Sequence, residues 1–171
     1  SQIISGELGV PMENIEVRHS DTDGVPYGQG SYGSRTYSVE GAVIHQAAKV
    51  IKAKALAVGA YMLKAAEADV VYEDGKVSLK KDPSQSKTLQ DIASWVWFAW
   101  DLPPGMEPGL EATEYFNPSD FNFPFGSHVA IVEIDEETGV VDVVKYVCVD
   151  DVGNVGNSRI VEGQMHGSVA F

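Results

Sequence analysis

Pro26-Tyr27-Gly28-Gln29-Gly30-Ser31-Tyr32-Gly33-Ser34-Arg35-Thr36 runs straight into the longest helix-like stretch of the chain, from about Val39 to about Ala68. Its three glycines are interspersed with small hydroxyl residues, two tyrosines and one arginine. A glycine-rich loop feeding a helix suits an anion. Glycine lets the main chain approach a ligand, and the first N–H groups of a helix have no internal acceptor. Gly/Ser runs are also ordinary flexible linkers. Tyr32 and Arg35 are not what a linker needs, and both readings stay open on spacing alone.

Working outward, the helix after the loop is set by Val43, Ala47, Val50, Ile51, Ala55, Val58 and Met62, which recur at three- and four-residue steps. Lys49, Lys52 and Lys54 occupy other positions on it. His45, in its first turns, reads as a hydrogen-bonded structural residue rather than a catalyst. On the N-terminal side, Ile3, Ile4 and Leu8 have helical spacing, closed by Gly9 and Pro11. Ile15 to His19 alternates and predicts a half-buried strand. Asp21-Thr22-Asp23-Gly24 opens like a calcium loop, but Gln29 and Tyr32 stand where its later ligands belong, so turn chemistry is the better reading.

Further along, Val70–Glu73 and Val77–Leu79 flank Asp74-Gly75-Lys76 and predict a tight hairpin. Residues 80–88 read as an exposed linker and a possible subdomain break. Thr88 and Asp91 form a capping-box pattern ahead of Leu89, Ile92, Trp95, Val96 and Ala99. Trp95, Trp97 and Trp100 cannot share one helical face, which leaves a core edge or an interface. Leu110–Phe116 alternates like a strand, and 117–126 is an aromatic-rich loop. Ser127–Ile134 and Val140–Val149 are strongly β-branched around Asp135–Gly139, a second hairpin. Ile160 opens a last element. Helices mixed with antiparallel hairpins, without βαβ alternation, give an α+β class: a mixed, largely antiparallel sheet with helices packed on one face.

With 171 residues and a formal net charge of −13, the chain suits one domain or two small ones, and its surface repels nucleic acid and anionic membrane. No apolar run reaches eighteen residues, so no spanning helix is predicted. The N-terminus lacks a basic stretch followed by an apolar core, so no signal peptide is predicted, and both ends read as cut. The lone Cys148 excludes an intrachain disulfide and reads as a small buried hydrophobe, consistent with a cytoplasmic setting. Ser31 and Ser34 lack a nucleophile-elbow context. Gly28-x-Gly30-x-x-Gly33 fits a dinucleotide fingerprint in form, but its strand ends near His19 and no βαβ unit follows.

The chain resembles the molybdenum-cofactor-binding large subunit of the xanthine dehydrogenase/aldehyde oxidase family, and in particular the aerobic carbon monoxide dehydrogenase-type branch. The residues that carry this are Glu7–Pro11, Asp21-Thr22-Asp23, Pro26-Tyr27-Gly28-x-Gly30-x-Tyr32-Gly33-Ser34-Arg35, Leu102-Pro103-x-Gly105–Thr113, Phe123–Gly126-x-His128-Val129-Ala130, Val149-Asp150-Asp151 and Val161–Gln164-x-His166-Gly167, in the family's order. The resemblance implies the molybdenum cofactor-binding domain type of fold across 1–171 and a molybdopterin, in prokaryotic members usually a cytosine dinucleotide. Gly33, Ser34 and Arg35 would contact it, with Tyr32 beside them and Gln164 as a weaker candidate. It also implies an FAD-binding medium subunit and an iron–sulfur small subunit, assembled as a dimer of heterotrimers.

The departures are as informative. The Gln-Gly-x-Glu-type loop, the Gly-Gly-Gly-Phe-Gly loop, the cysteine loop and the Gly-x-Gly-Glu segment with the family's catalytic glutamate are not found, and Phe171 stands near where the family has glutamine. The resemblance therefore implies an internal fragment of an oxidoreductase with no catalytic residue of its own and no metal ligand. The competing expectation is a stand-alone ligand-binding or interaction domain that keeps the fold without a metal.

Overall fold

A computed structural model describes residues 1–170; Phe171 lies outside the described residues. The chain forms two compact units, Ser1–Pro118 and 119–171. The fold is α+β, with antiparallel strand pairing throughout.

In the first unit, α1 (Gln2–Leu8) ends on Gly9, whose φ of 62° closes the helix left-handed. Residues Thr36–Glu40 form one π-helical turn that leads into α2 (Gly41–Met62). That helix stops short of Ala68 because Lys64 is left-handed (φ 54°), while the Lys64 and Ala65 N–H groups bond back to the Tyr61 and Ala60 carbonyls. This cap turns the chain toward β1 (Val70–Glu73), which pairs antiparallel with β2 (Lys76–Leu79). Asp74 and Gly75, at φ 46° and 71°, make the predicted turn.

The 80–88 segment lies inside this unit. Ser86–Thr88 pairs with β2 as β3, so the linker reading fails there: its backbone finds ladder partners. The Thr88 capping box forms as read, the hydroxyl accepting from the Asp91 N–H while the Asp91 carboxylate accepts from the Thr88 N–H. It opens α3 (Leu89–Phe98).

The core joins α2, α3 and the three-stranded sheet: Ala55, Val58, Ala60, Val70, Tyr72, Val77, Ile92 and Val96 are buried together. Burying Ile92 or Val77 contributes about 1.5–3 kcal/mol each. Gly59 lets α2 approach β2, because a Cβ there would lie 2.6 Å from the Val77 Cβ. Gly9 does the same against the β1–β2 turn, and the Tyr72 hydroxyl donates to the Leu8 carbonyl at 2.8 Å.

Two predicted strands are absent. Ile15–His19 and Leu110–Phe116 carry no ladder, although side chains 110–116 do alternate between half-buried and exposed. Alternation sets which way side chains point; without a partner edge it makes no sheet. Of the tryptophans, Trp97 and Trp100 are 77% and 88% exposed, so only an edge of the helix reaches the core.

The second unit contains β4 (Phe125–Ile134) paired with β5 (Val141–Asp151), then α4 (Ser158–Ala170). The ribbon's register shifts at Ile131/Val132, a bulge that leaves Val144 over. Among its described residues none is buried, and Cys148 is half-buried rather than enclosed. Two strands supply no second layer to cover them. No helix among the described residues is long and apolar enough to cross a membrane.

Candidate functional site

The opening loop is shaped by a tight turn over Tyr32–Arg35. Gly33 and Ser34 both have positive φ, 59° and 56°, and the Arg35 N–H closes the turn on the Tyr32 carbonyl at 3.3 Å. A serine held in that region costs about 1–2 kcal/mol, a strain of the kind found where backbone groups serve a ligand. Among the described residues the Gly33 and Ser34 N–H groups have no acceptor. A Cβ on Gly28, Gly30 or Gly33 would meet nothing within 4 Å, so this backbone is open to an approaching molecule.

Arg35 is held by neutral groups. Its Nη1 donates to the Tyr32 hydroxyl at 2.8 Å and to Gln29 Oε1 at 3.1 Å, and its guanidinium carbon lies 4.8 Å from the centre of the Tyr32 ring. The Tyr32 hydroxyl also donates to Gln29 Oε1 at 3.3 Å, and Gln29 Nε2 donates to the Tyr27 hydroxyl at 3.0 Å. Tyr27 in turn sits 6.3 Å, ring centre to centre, from Tyr115. Ser31 and Thr36 hydroxyls bond to each other, and the Ser38 hydroxyl donates to the Arg35 carbonyl. Among the described residues Arg35 has no carboxylate partner, in a chain with 25 acidic residues. Its Nε and Nη2 edge, the fork that fits a phosphate or carboxylate bidentately, is unused.

Tyr32, Gly33, Ser34 and Arg35 thus come together on one turn of the first unit. Gln164 is an exposed residue of α4 in the second, where its carbonyl accepts from the Ser168 hydroxyl. Gln29 and Tyr27 were not singled out from the sequence as site residues; the available signal was an amide side chain between two glycines, six residues before the arginine.

The other candidates resolve into local structure. The Asp21 carboxylate accepts from the Asp23 N–H at 3.0 Å, an Asx turn. His45 Nδ1 lies 2.9 Å from Glu7 Oε1, tying α2 to α1. Among the described residues no group of three or more His, Cys, Asp or Glu side chains could hold a metal. On the ribbon, His128 bridges the Tyr146 hydroxyl (2.9 Å) and Asp150 Oδ1 (3.2 Å), diagonal partners that fix the register.

The turn thus presents unpaired N–H groups and a neutrally held arginine, all donors, to solvent. The family is shown directly: residues 1–171 match the molybdopterin cofactor-binding domain, and the chain belongs to that family. It is 45% identical over 170 residues to the carbon monoxide dehydrogenase large chain of Hydrogenophaga pseudoflava, covering 99% of this chain and 21% of that one. It is 39% identical to the nicotine 6-hydroxylase large subunit of Paenarthrobacter nicotinovorans, with the same two coverages, 99% and 21%. The crystal structure of Cu,Mo-CO dehydrogenase in its carbon monoxide reduced state superposes with a TM-score of 0.86 at 40% identity, over 97% of this chain and 21% of that chain. The chain thus spans about a fifth of the length of these relatives.

Proposed function

We propose that residues 1–171 are part of the large subunit of a molybdenum hydroxylase, and that the Tyr32–Arg35 turn forms one wall of its molybdopterin site. The observation that carries this is the unpaired Arg35 edge beside two acceptor-less N–H groups in a member of the molybdopterin-binding family. The fit is chemical. Main-chain N–H groups and the Ser34 hydroxyl suit pterin and phosphate oxygens, and Arg35 suits a phosphate of a cytosine dinucleotide form. Gln164 is a further contact in the same proposal.

Bound there, the molybdenum–pterin group supplies the centre at which a substrate is oxidised with oxygen drawn from water. Arg35 holds charge, the turn orients, and the open glycines let the ligand sit against backbone. In the same proposal the complete enzyme is cytoplasmic and pairs this subunit with an iron–sulfur small subunit and an FAD-binding medium subunit, which would accept the electrons, within a dimer of heterotrimers. In this proposal the residues that choose among carbon monoxide, aldehydes, purines and other heterocycles lie mostly elsewhere in the large subunit. On its own the chain supports no turnover. The β4–β5 ribbon supports a role inside a larger body: its valines and isoleucines are exposed on both faces and gain a covering layer from the rest of the subunit.

The test is Arg35→Ala in the full-length protein, read as molybdenum and extracted pterin per polypeptide. The expected result is a clear loss of both. Wild-type content removes Arg35 from the site.

A further inference from the structure

We infer that Gln29 is a positioning residue for the cofactor site, and that it must be electrically neutral to work. The inference rests on the reading of Arg35 as an anion-binding residue. Three observations lead to it. Gln29 Oε1 accepts from both Arg35 Nη1 and the Tyr32 hydroxyl, at 3.1 and 3.3 Å, so one side chain closes a ring of hydrogen bonds through the guanidinium, the phenol and the amide. Its other end is anchored, Nε2 donating to Tyr27, which packs near Tyr115. The guanidinium itself fixes which end of the amide faces it, since it only donates and Oε1 alone can accept.

The third observation is charge. An arginine in a chain of net charge −13 meets carboxylates easily, and Arg18 does so with Glu16 at 2.8 Å. Arg35 instead receives an amide and a phenol, acceptors that orient it and leave its charge uncompensated. A carboxylate at position 29 would make the same bond, and a stronger one. It would also cancel the charge that an anionic ligand reads. Position 29 therefore separates two roles that a structural residue would not separate: holding the arginine, and keeping it attractive to an anion.

The experiment uses the full-length protein with its partner subunits in four forms: wild type, Arg35→Ala, Gln29→Met and Gln29→Glu. The readouts are pterin and molybdenum retained per polypeptide, their rate of loss during dilution at fixed salt, and thermal stability of the cofactor-free protein. Arg35→Ala and Gln29→Glu are each expected to speed cofactor loss tenfold or more, and Gln29→Met several-fold, all with wild-type stability when cofactor-free. A merely structural role predicts the opposite order at position 29, with Glu milder than Met. That order, or wild-type retention in Gln29→Glu while Arg35→Ala loses cofactor, overturns the inference and leaves Arg35 in the site. Wild-type retention in Arg35→Ala instead overturns the reading beneath it.

Discussion

Gly59→Ala places a methyl group where α2 meets β2. The added Cβ would lie 2.6, 2.7 and 2.8 Å from Val77 Cβ, Cγ1 and Cγ2. Ordinary carbon contacts fall at about 3.5–4.0 Å, so all three are overlaps of roughly 0.7 Å or more. Val77 is fully buried and β-branched, with little freedom to turn away. Alanine gains at most about 1 kcal/mol over glycine in helix propensity. Overpacking costs about 1–3 kcal/mol, and three overlaps onto one fully buried side chain put this site at the upper end, about 2–3 kcal/mol, so the net loss is roughly 1–2 kcal/mol. Native-state hydrogen exchange of the full-length protein, followed by mass spectrometry over residues 55–79, reads this locally. Exchange is expected to quicken by about five- to thirtyfold. Val77→Ala removes two of the three overlapping atoms, so the pair should be less damaging than the sum by about 0.5–1 kcal/mol. Greater protection in Gly59→Ala, or strict additivity with Val77→Ala, would refute the packing argument.

Three further outcomes follow from the same geometry. Tyr72→Phe leaves the Leu8 carbonyl without its donor and should loosen α1 from the sheet by about 1–3 kcal/mol, seen as faster exchange in residues 2–9. Thr88→Ala removes the hydroxyl that caps α3 and should cost about 1 kcal/mol, confined to exchange in that helix's first turn. The Thr88 hydroxyl, and then its N–H, hold the Asp91 carboxyl below its ordinary value. A depressed carboxyl stabilises the fold above the unfolded value of about 3.9 and loses that contribution as pH falls through the lower folded value, so cap protection should be flat from pH 7 to 5 and decline below 4. Asp91→Asn should abolish the decline.

The elements legible in the sequence were those with local causes. The Asp74-Gly75 turn needs positive φ, the Thr88–Asp91 box needs only its own residues, and both hairpins carried β-branched runs around turn signals. The errors were non-local. Ile15–His19 and Leu110–Phe116 have strand patterns but no neighbour to pair with, and β3 was missed because Ser86–Thr88 is polar and is a strand only through β2. The site divides the same way. Gly33, Ser34 and Arg35 were implied as contacts by the family resemblance, while Gln29 became visible only when the turn folded it back onto the guanidinium. Trp97 lies on α3 away from the buried Ile92 and Val96, and Trp100 lies past the helix end, beyond a left-handed Ala99 that nothing in its residue type announces.

The central claim is that the Tyr32–Arg35 turn touches the molybdopterin. The measurement that tests it most directly is an experimental structure of the full-length, cofactor-loaded protein. The account predicts a phosphate or pterin oxygen within hydrogen-bond distance of the Arg35 guanidinium and of the Gly33 or Ser34 N–H. A loaded cofactor that leaves this turn facing solvent, with Arg35 still bonded only to Gln29 and Tyr32, would contradict it.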